Sequence, residues 1–229
     1  MRKVSLVDGE FFHLYNRGNT KQQIFLDKED YSRFVKLLYL CNSEYRTNFR
    51  EDIVKKHINA FDFKRGRLLI KIGAWVLMPN YFHLYVFIPS SPKQGFGLEE
   101  TSNITKFMHR LCTSYSKYFN KKYNRTGKLF EDKFKAVHIK NENQAKYLFS
   151  YIHINPVKLI QKNWKEWGIR NKGQVIDFLN NYKWSSFQDF QGIIRDENKI
   201  IDPGSFPLSY FSTRKSFKKE IFEWLSIDD

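Results

Sequence analysis

The stretch LLIKIGAWVLMPNYFHLYVFIP, residues 68–89, decides the fold. It holds two apolar runs of strand length, Leu68–Met78 and Tyr81–Pro89, separated by the dipeptide Pro79-Asn80. Proline and asparagine mark turns because they interrupt regular hydrogen bonding. The pattern therefore predicts two neighbouring strands, for which a hairpin is one arrangement.

The second run has two distinct faces. Side chains alternate across a strand, so one face carries Tyr81, His83, Tyr85 and Phe87. The other face carries only apolar residues and is the predicted core face.

Working outward, the N-terminal half predicts one strand and one helix. Glu10–Asn16 is rich in aromatic residues and predicts a first strand. Asp27 is the predicted N-cap of a helix whose apolar residues, from Tyr31 to Cys41, recur at helical spacing. The charged interval Tyr45–Arg67 predicts a loop or a short inserted helix.

Beyond the two strands, residues 90–97 predict a loop and Glu99–Lys122 a long helix. Glu131–Ile139 alternates and predicts a strand, and Asn141 to Asn143 form the predicted N-cap of a helix that carries Tyr151. The order strand, helix, strand, strand, helix, strand, helix predicts an α+β fold. The best match is a ferredoxin-like split β-α-β sandwich with a central antiparallel sheet.

The last part of the chain predicts extra helices around that sandwich. We expect residues 1–160 to form one catalytic domain and residues 161–229 a C-terminal extension that packs on it. Aromatic residues in Trp164–Gly168 and Lys183–Phe190 are expected to make that contact. The segment TRKSFKKEIFEWL, residues 213–225, predicts a final amphipathic helix.

Composition indicates a polyanionic partner. The 229 residues carry a net charge of +15, and 17 % of them are aromatic, which is too many for a disordered basic chain.

Cys41 and Cys112 lack metal-ligand spacing and are expected to be reduced. No apolar run is long enough to span a bilayer, and no signal peptide is recognisable. We therefore expect a cytoplasmic protein without a membrane partner, either a monomer or a homodimer.

Residues 103–140 are the most basic segment and predict a nucleic-acid surface. Ten cationic residues stand against Glu131 and Asp132, a net charge of +8. Seven aromatic residues are interleaved with them, and aromatic rings stack on unpaired bases while cations contact phosphates. Alternatively, the segment is a solvated helix face whose aromatic residues lie in the core. The predicted DNA-binding residues, with one from the next helix, are Lys106, Arg110, Lys117, Lys121, Lys122, Arg125, Lys128, Lys133, Lys135 and Lys158.

The segment YLFSYIHINPVK, residues 147–158, predicts the chemical centre. Helical spacing places Tyr147, Tyr151, Asn155 and Lys158 along one stripe. A phenol, an amide oxygen and an ammonium group could serve phosphodiester chemistry as nucleophile, metal ligand and phosphate contact. Because Pro156 disfavours helix at the residue before it, the helix is expected to end or kink at Asn155, which leaves the place of Lys158 open.

Histidines are the next candidates for the site. His83 is a candidate metal ligand, and His13 on the first strand is a second nitrogen if the two strands are adjacent. A lone strand histidine is more often structural, so the structural interpretation stays open for both. Tyr81 would be a poor ligand because a neutral phenol has a pKa of about 10. His153 lies on another side of the helix from Tyr151 and is expected to be structural or to contact a substrate.

Several of these segments, in order, carry a family resemblance. They are FHLYNRGNTKQQIFLDKEDYSRFVKLL, AWVLMPNYFHLYV, FMHRLCTSYSKYFNKKYNRTGKLFEDKFKAV, YLFSYIHINPVK and, weakly, YKWSSF. Across about residues 10–190 the sequence resembles the single-tyrosine HUH transposases, especially the REP-associated tyrosine transposases, which have a transposase IS-200-like domain.

The resemblance implies a ferredoxin-like catalytic domain that binds Mg²⁺ or Mn²⁺. It implies that a tyrosine attacks a phosphate of single-stranded DNA, forms a 5′-phosphotyrosine bond and releases a 3′-OH, next to a hairpin from palindromic repeats. Carried over, Tyr151 is the nucleophile, Asn155 the helix-borne ligand and His83 the second histidine of the His-x-His motif.

The sequence departs from the family at Tyr81, which stands where the first histidine of the motif is expected. Two functions therefore remain open. The first is an active strand transferase in which water, His13 or the substrate completes the metal site. The second is a protein that binds single-stranded or hairpin DNA without cutting it. An RNA-binding protein built on a similar sheet is a third hypothesis.

Overall fold

A four-stranded antiparallel sheet organises the chain. The computed structural model describes residues 5–90, 102–206 and 214–224. The strands are β1 (Phe11–Arg17), β2 (Lys71–Met78), β3 (Tyr81–Phe87) and β4 (Lys135–Ile139). They lie in the order β2-β3-β1-β4, and each neighbouring pair is antiparallel. β1 and β2 therefore run in the same direction with β3 between them, as in a split β-α-β unit.

Helices cover both faces of this sheet. They are α1 (Lys28–Cys41), α2 (Asn103–Lys122), α3 (Glu142–Ile154), α4 (Trp164–Trp167), α5 (Lys172–Asn181), α6 (Phe187–Phe190) and α7 (Arg214–Trp224). The order β1-α1-β2-β3-α2-β4-α3 confirms the predicted α+β, ferredoxin-like fold with extra C-terminal helices. No helix in the described part of the chain is long and apolar enough to cross a membrane.

The first three helices begin at residues that cap them. Asp27 accepts a hydrogen bond from the Asp30 amide at the start of α1, as the sequence predicts. Ser102 and Asn141 do the same for α2 and α3 through the amides of Thr105 and Gln144. Each cap provides an acceptor for an otherwise unpaired N–H group of the first turn.

The alternation predicted for β3 separates two cores. Phe82, Leu84 and Val86 face α1 and α2 in one apolar cluster, together with Phe12 and Leu14 of β1. Tyr85 belongs to a second cluster with residues of α3 and of the C-terminal segments. His83 lies on that second face. The sheet therefore presents its polar strand residues to α3.

Two strands are shorter than predicted, and the residues before them are paired by isolated hydrogen bonds. Before β2, the Asn42 side chain binds both the N–H and the C=O of Ile70. Before β4, the Glu131 amide donates to the Arg17 carbonyl, and the Asn16 side chain donates to the Asp132 carbonyl.

The charged interval Tyr45–Arg67 is mostly irregular but holds two short helical segments. These are a π-helix, Phe49–Val54, and a 3₁₀-helix, Ala60–Asp62. The N-terminal end of the helix predicted from Glu99 and most of the loop before it lie outside the described residues. The described part of that helix begins at Asn103.

Segments after residue 160 contact both the β2 edge and α3. The Leu77 amide donates to the Trp184 carbonyl, and the Ser186 amide donates to the Trp75 carbonyl. The Phe206 ring lies where a Cβ on Gly73 would approach it to 2.6 Å, so glycine is required for this contact. The predicted division into a catalytic domain and an extension at residue 160 stays a prediction.

Candidate functional site

Two histidines from neighbouring strands meet on the sheet face that α3 covers. His13 Nε2 and His83 Nδ1 are 2.7 Å apart, so one imidazole donates a hydrogen bond to the other. The antiparallel pairing of β1 with β3 brings them together although 70 positions separate them in sequence. Tyr15 pairs directly with His83 on the same face, with ring centroids 5.5 Å apart. We did not predict Tyr15, although the alternation of β1 places it with His13.

Tyr151 lies on α3 against this histidine pair. Its ring meets the His83 ring edge to face, with centroids 5.5 Å apart. Burial raises the pKa of the Tyr151 phenol, whereas the neighbouring Asn155 amide lowers it. The phenol is therefore protonated at neutral pH and must lose its proton to act as a nucleophile.

Proline ends α3 as predicted, yet Lys158 stays with the site. The α-helix ends at Ile154, and Asn155–Leu159 continues as a 3₁₀-helix. The Lys158 ammonium group lies 5.8 Å from the Tyr151 ring centroid and 5.9 Å from that of Tyr81. The tighter turn therefore keeps a positive charge beside both phenols, where a phosphate could be attracted.

Tyr81 binds the residue that the resemblance assigns to the metal. Its hydroxyl donates to Asn155 Oδ1 over 2.7 Å, and Asn155 is fully buried. Asn155 Nδ2 has no hydrogen-bond partner among the described residues. Burial raises the pKa of Tyr81 well above its usual value, so its hydroxyl stays a neutral donor. The phenol at the place of the missing histidine thus engages the amide oxygen.

The donors at this site fit a cation only in part. No group of three or more His, Cys, Asp or Glu within residues 5–90, 102–206 and 214–224 is arranged to hold a metal ion. His13 is neutral at pH 7, because burial lowers its pKa to about 4, and its ring nitrogen lies close enough to His83 for one cation to contact both. Mg²⁺ and Mn²⁺ both prefer oxygen ligands, whereas imidazole nitrogen suits Zn²⁺, Cu²⁺, Fe²⁺ and Ni²⁺. The histidine pair therefore gives neither of the two implied cations a full set of its preferred ligands.

His153 has a structural position, which is one of its two predicted roles. It is fully buried, and burial lowers its pKa to about 3. Its Nδ1 lies 2.9 Å from the Phe149 carbonyl oxygen and its Nε2 lies 2.8 Å from Ser186 Oγ. The carbonyl oxygen can only accept, so Nδ1 carries the proton and Nε2 accepts from the serine. This pair joins α3 to the segment beside β2.

Several of the predicted DNA-binding residues are solvent-exposed cations, and others line grooves beside α2. Lys106, Arg110 and Lys117 border a groove of about 630 Å³ between α1 and α2. Lys133 and Lys135 border a second groove, of about 810 Å³, between α2 and β4. The exposed members of the predicted set are Lys117, Lys121, Lys128, Lys133 and Lys135. The first groove lies beside the helices that cover the opposite sheet face from Tyr151.

Lys122 has an internal partner set that competes with its predicted role. Its ammonium group lies 2.8 Å from Asp27, 3.1 Å from Glu29 and 2.9 Å from Asp30, and Asp30 is fully buried. This arrangement favours a structural role for Lys122 over contact with a phosphate.

Two arginines of the predicted set also bind within the protein. Arg110 donates to the carbonyl oxygens of Ser43 and Tyr45, and Arg125 donates to Gln22. Their guanidinium groups thereby hold loops beside α2.

The interleaved aromatic residues are core residues. Five are buried against the sheet, and the hydroxyls of the other two donate to Asp30. The buried ones are Phe107, Tyr115, Phe119, Phe130 and Phe134, and the others are Tyr118 and Tyr123. The rings of this segment therefore lie in or against the core, as the alternative interpretation has it.

Comparisons with known proteins give a distant similarity to solved structures. No protein-family model and no curated protein matches the sequence. Among solved structures, the chain is similar to a REP-associated tyrosine transposase bound to a REP hairpin, with 14 % sequence identity and a TM-score of 0.47. The alignment covers 86 % of this chain and 89 % of that one. This similarity is too distant to assign a role to any individual residue of the site.

Proposed function

We propose that this protein is a single-stranded DNA endonuclease and strand transferase in which Tyr151 is the nucleophile. One observation carries the proposal: three segments that are distant in sequence bring His13, His83 and the pair Tyr151 and Lys158 to one sheet face. The family resemblance of the sequence supports the same assignment. The partner in this proposal is single-stranded or hairpin DNA. The protein would act as a monomer or a homodimer in the cytoplasm.

The chemistry requires a phenol and a nearby positive charge. The Tyr151 oxygen attacks a backbone phosphorus, loses its proton, and forms a phosphotyrosine bond to the 5′ side of the strand. The bond from phosphorus to the 3′ oxygen breaks, and that oxygen takes up a proton as a 3′-OH. Lys158 would stabilise the negative charge on the phosphate. Attack by another 3′-OH on the phosphotyrosine reverses the step and joins two strands.

A divalent cation, Mg²⁺ or Mn²⁺, belongs to this proposal. His83 and His13 would hold it, and Asn155 would join them once its oxygen is released from Tyr81. When bound, such a cation would polarise a phosphate oxygen and stabilise the charge that develops on it.

The contact between Tyr81 and Asn155 favours a second candidate, a DNA-hairpin-binding protein that does not cut. In that case the phenol keeps Asn155 from any cation, and binding relies on the exposed lysines. Affinity would then fall steeply as salt rises, because released counterions drive phosphate binding.

Incubation with labelled DNA separates the two candidates. The strands come from the DNA that flanks the gene, hairpins included, with Mn²⁺ or Mg²⁺, and products are resolved on a denaturing gel. A metal-dependent shifted band that disappears in Tyr151→Phe supports the transferase. A band from Tyr81→His alone supports the binding protein, whose cleavage site is disabled. A band that persists in Tyr151→Phe contradicts the assignment of the nucleophile.

A further inference from the structure

Tyr147, one turn before Tyr151 on α3, offers a surface on which a base could stack. Its side chain is 50 % exposed, whereas the aromatic residues of the basic segment are packed inside the protein. The exposed large aromatic residues in the described part of the chain are Tyr45, Tyr147 and Trp167. Of these three, Tyr147 shares a helix face with Tyr151.

The rings of Tyr147 and Tyr151 are aligned with each other. Their planes differ by 7° and their centroids are 6.1 Å apart. The Lys158 ammonium group lies beyond Tyr151 in the chain direction, 5.8 Å from its ring. The nucleophile therefore stands between an exposed aromatic ring and a cation. A nucleotide presents the matching pair of groups, a flat base and a charged phosphate.

The neighbouring strand adds an apolar and a cationic residue to the same sheet face. Val137 of β4 pairs with His13 and is 46 % exposed. Lys135 pairs with Tyr15, and its side chain is exposed. α3 contacts β4 directly. The sheet face that α3 covers thus offers, on β4, an apolar and a cationic side chain that suit a base and a backbone phosphate.

We propose that Tyr147 is a stacking platform that positions the nucleotide next to the phosphate attacked by Tyr151. This inference rests on the proposed function and names a positioning residue for it. Stacking needs the ring and not the hydroxyl, so phenylalanine should replace tyrosine without loss. Aromatic faces accept any base, so the platform contributes affinity without reading sequence.

Two probes separate stacking from charge. The first is fluorescein-labelled oligo-dT, and the second is a strand of the same length whose sugars lack bases. Binding is measured by anisotropy in the Tyr151→Phe background, which excludes cleavage. Removing one stacked base contact weakens binding about 5- to 150-fold. We expect Tyr147→Ala to lose that much affinity for oligo-dT and none for the abasic strand, whereas Tyr147→Phe binds both strands like its parent.

Trp167→Ala is the matched control, because Trp167 is 70 % exposed on another helix and should leave both affinities unchanged. An equal loss for both strands in Tyr147→Ala, or no loss for either, overturns the inference. Covalent adduct formation, measured in protein that retains Tyr151, tests the proposed function separately. If adducts form normally but Tyr147→Ala binds oligo-dT as well as its parent does, only the stacking role of Tyr147 is wrong. If the parent binds no single-stranded DNA, the proposed function is wrong.

Discussion

Replacing Tyr81 by phenylalanine removes one oxygen atom from the site and leaves the ring in place. That oxygen donates to Asn155 Oδ1 over 2.7 Å, inside a region where Asn155 is fully buried. Asn155 Nδ2 already has no partner among the described residues. The variant would therefore bury an amide oxygen without its donor.

The size of the effect follows from this burial. A buried polar group that loses its hydrogen bond costs about 1–3 kcal/mol of folding free energy. For a chain of this length, about 1 kcal/mol corresponds to about 2–4 °C in melting temperature. We therefore expect Tyr81→Phe to lower the melting temperature by about 2–12 °C.

The same strand supplies a matched control. Tyr85 is four residues further along β3 on the same face and is 2 % exposed. Its hydroxyl has no hydrogen-bond partner among the described residues. Tyr85→Phe makes the identical chemical change but removes an unpaired polar group, so it should be neutral or should stabilise by about 1 kcal/mol.

Urea unfolding of the two variants beside the parent measures the difference directly. Equal m-values would show that the change lies in stability and not in the compactness of either state. This expectation is contradicted if Tyr81→Phe is as stable as the parent, or if Tyr85→Phe loses as much free energy of unfolding as Tyr81→Phe. Either result would mean that the Tyr81–Asn155 hydrogen bond does not organise the site.

Three further predictions concern groups away from the nucleophile. Lys122→Met should destabilise by about 1–3 kcal/mol in urea, because it leaves the buried Asp30 carboxylate with only neutral donors. Unchanged stability would contradict this. Ser186→Ala should cost about 1–3 kcal/mol, because buried His153 loses the donor to its Nε2; Ser186→Thr, which keeps the hydroxyl, is the control. Burial raises the pKa of Tyr31 to about 12. The pKa of Tyr31 in the folded state lies above the unfolded value of about 10. The contribution of this phenol to folding stability is therefore complete below pH 10 and is lost as pH rises toward 12. A smaller loss of stability between pH 9 and 11 in Tyr31→Phe than in the parent would support this, and an equal loss would refute it.

Local patterns in the sequence were sufficient for the fold. Two-residue alternation assigned His83 and Phe82 to opposite faces of β3, and the structure separates them in that way. The N-caps of α1 and α3 were also visible, because capping depends on a few adjacent residues. The resemblance of ordered segments led to the same fold.

Contacts between distant segments could not be predicted in the same way. His13 meets His83 only because β1 pairs with β3 in one particular register, and a shift by one residue would turn His13 to the other face. The bond from Tyr81 to Asn155 depends on how α3 is placed over the sheet. Neither contact can be inferred from the spacing of residues along the chain.

The basic segment shows what composition leaves open. Its lysines and its rings alternate in sequence, which is typical of a nucleic-acid surface. On α2, however, helical periodicity turns Phe107 and Tyr115 inward while Lys117 stays exposed. Tyr147, which stacks beside the proposed nucleophile Tyr151, belongs to a different helix.

Peptide mapping shows directly whether Tyr151 forms the covalent bond to DNA. The protein is incubated with Mn²⁺ and hairpin-flanked single strands, the product is digested with nuclease and protease, and the modified peptide is sequenced by mass spectrometry. We expect the peptide that contains Tyr151 to carry the added mass of a nucleotide on that residue. A nucleotide on Tyr81 or Tyr147 instead, or none on any tyrosine from a strand that the protein demonstrably cuts, would contradict it.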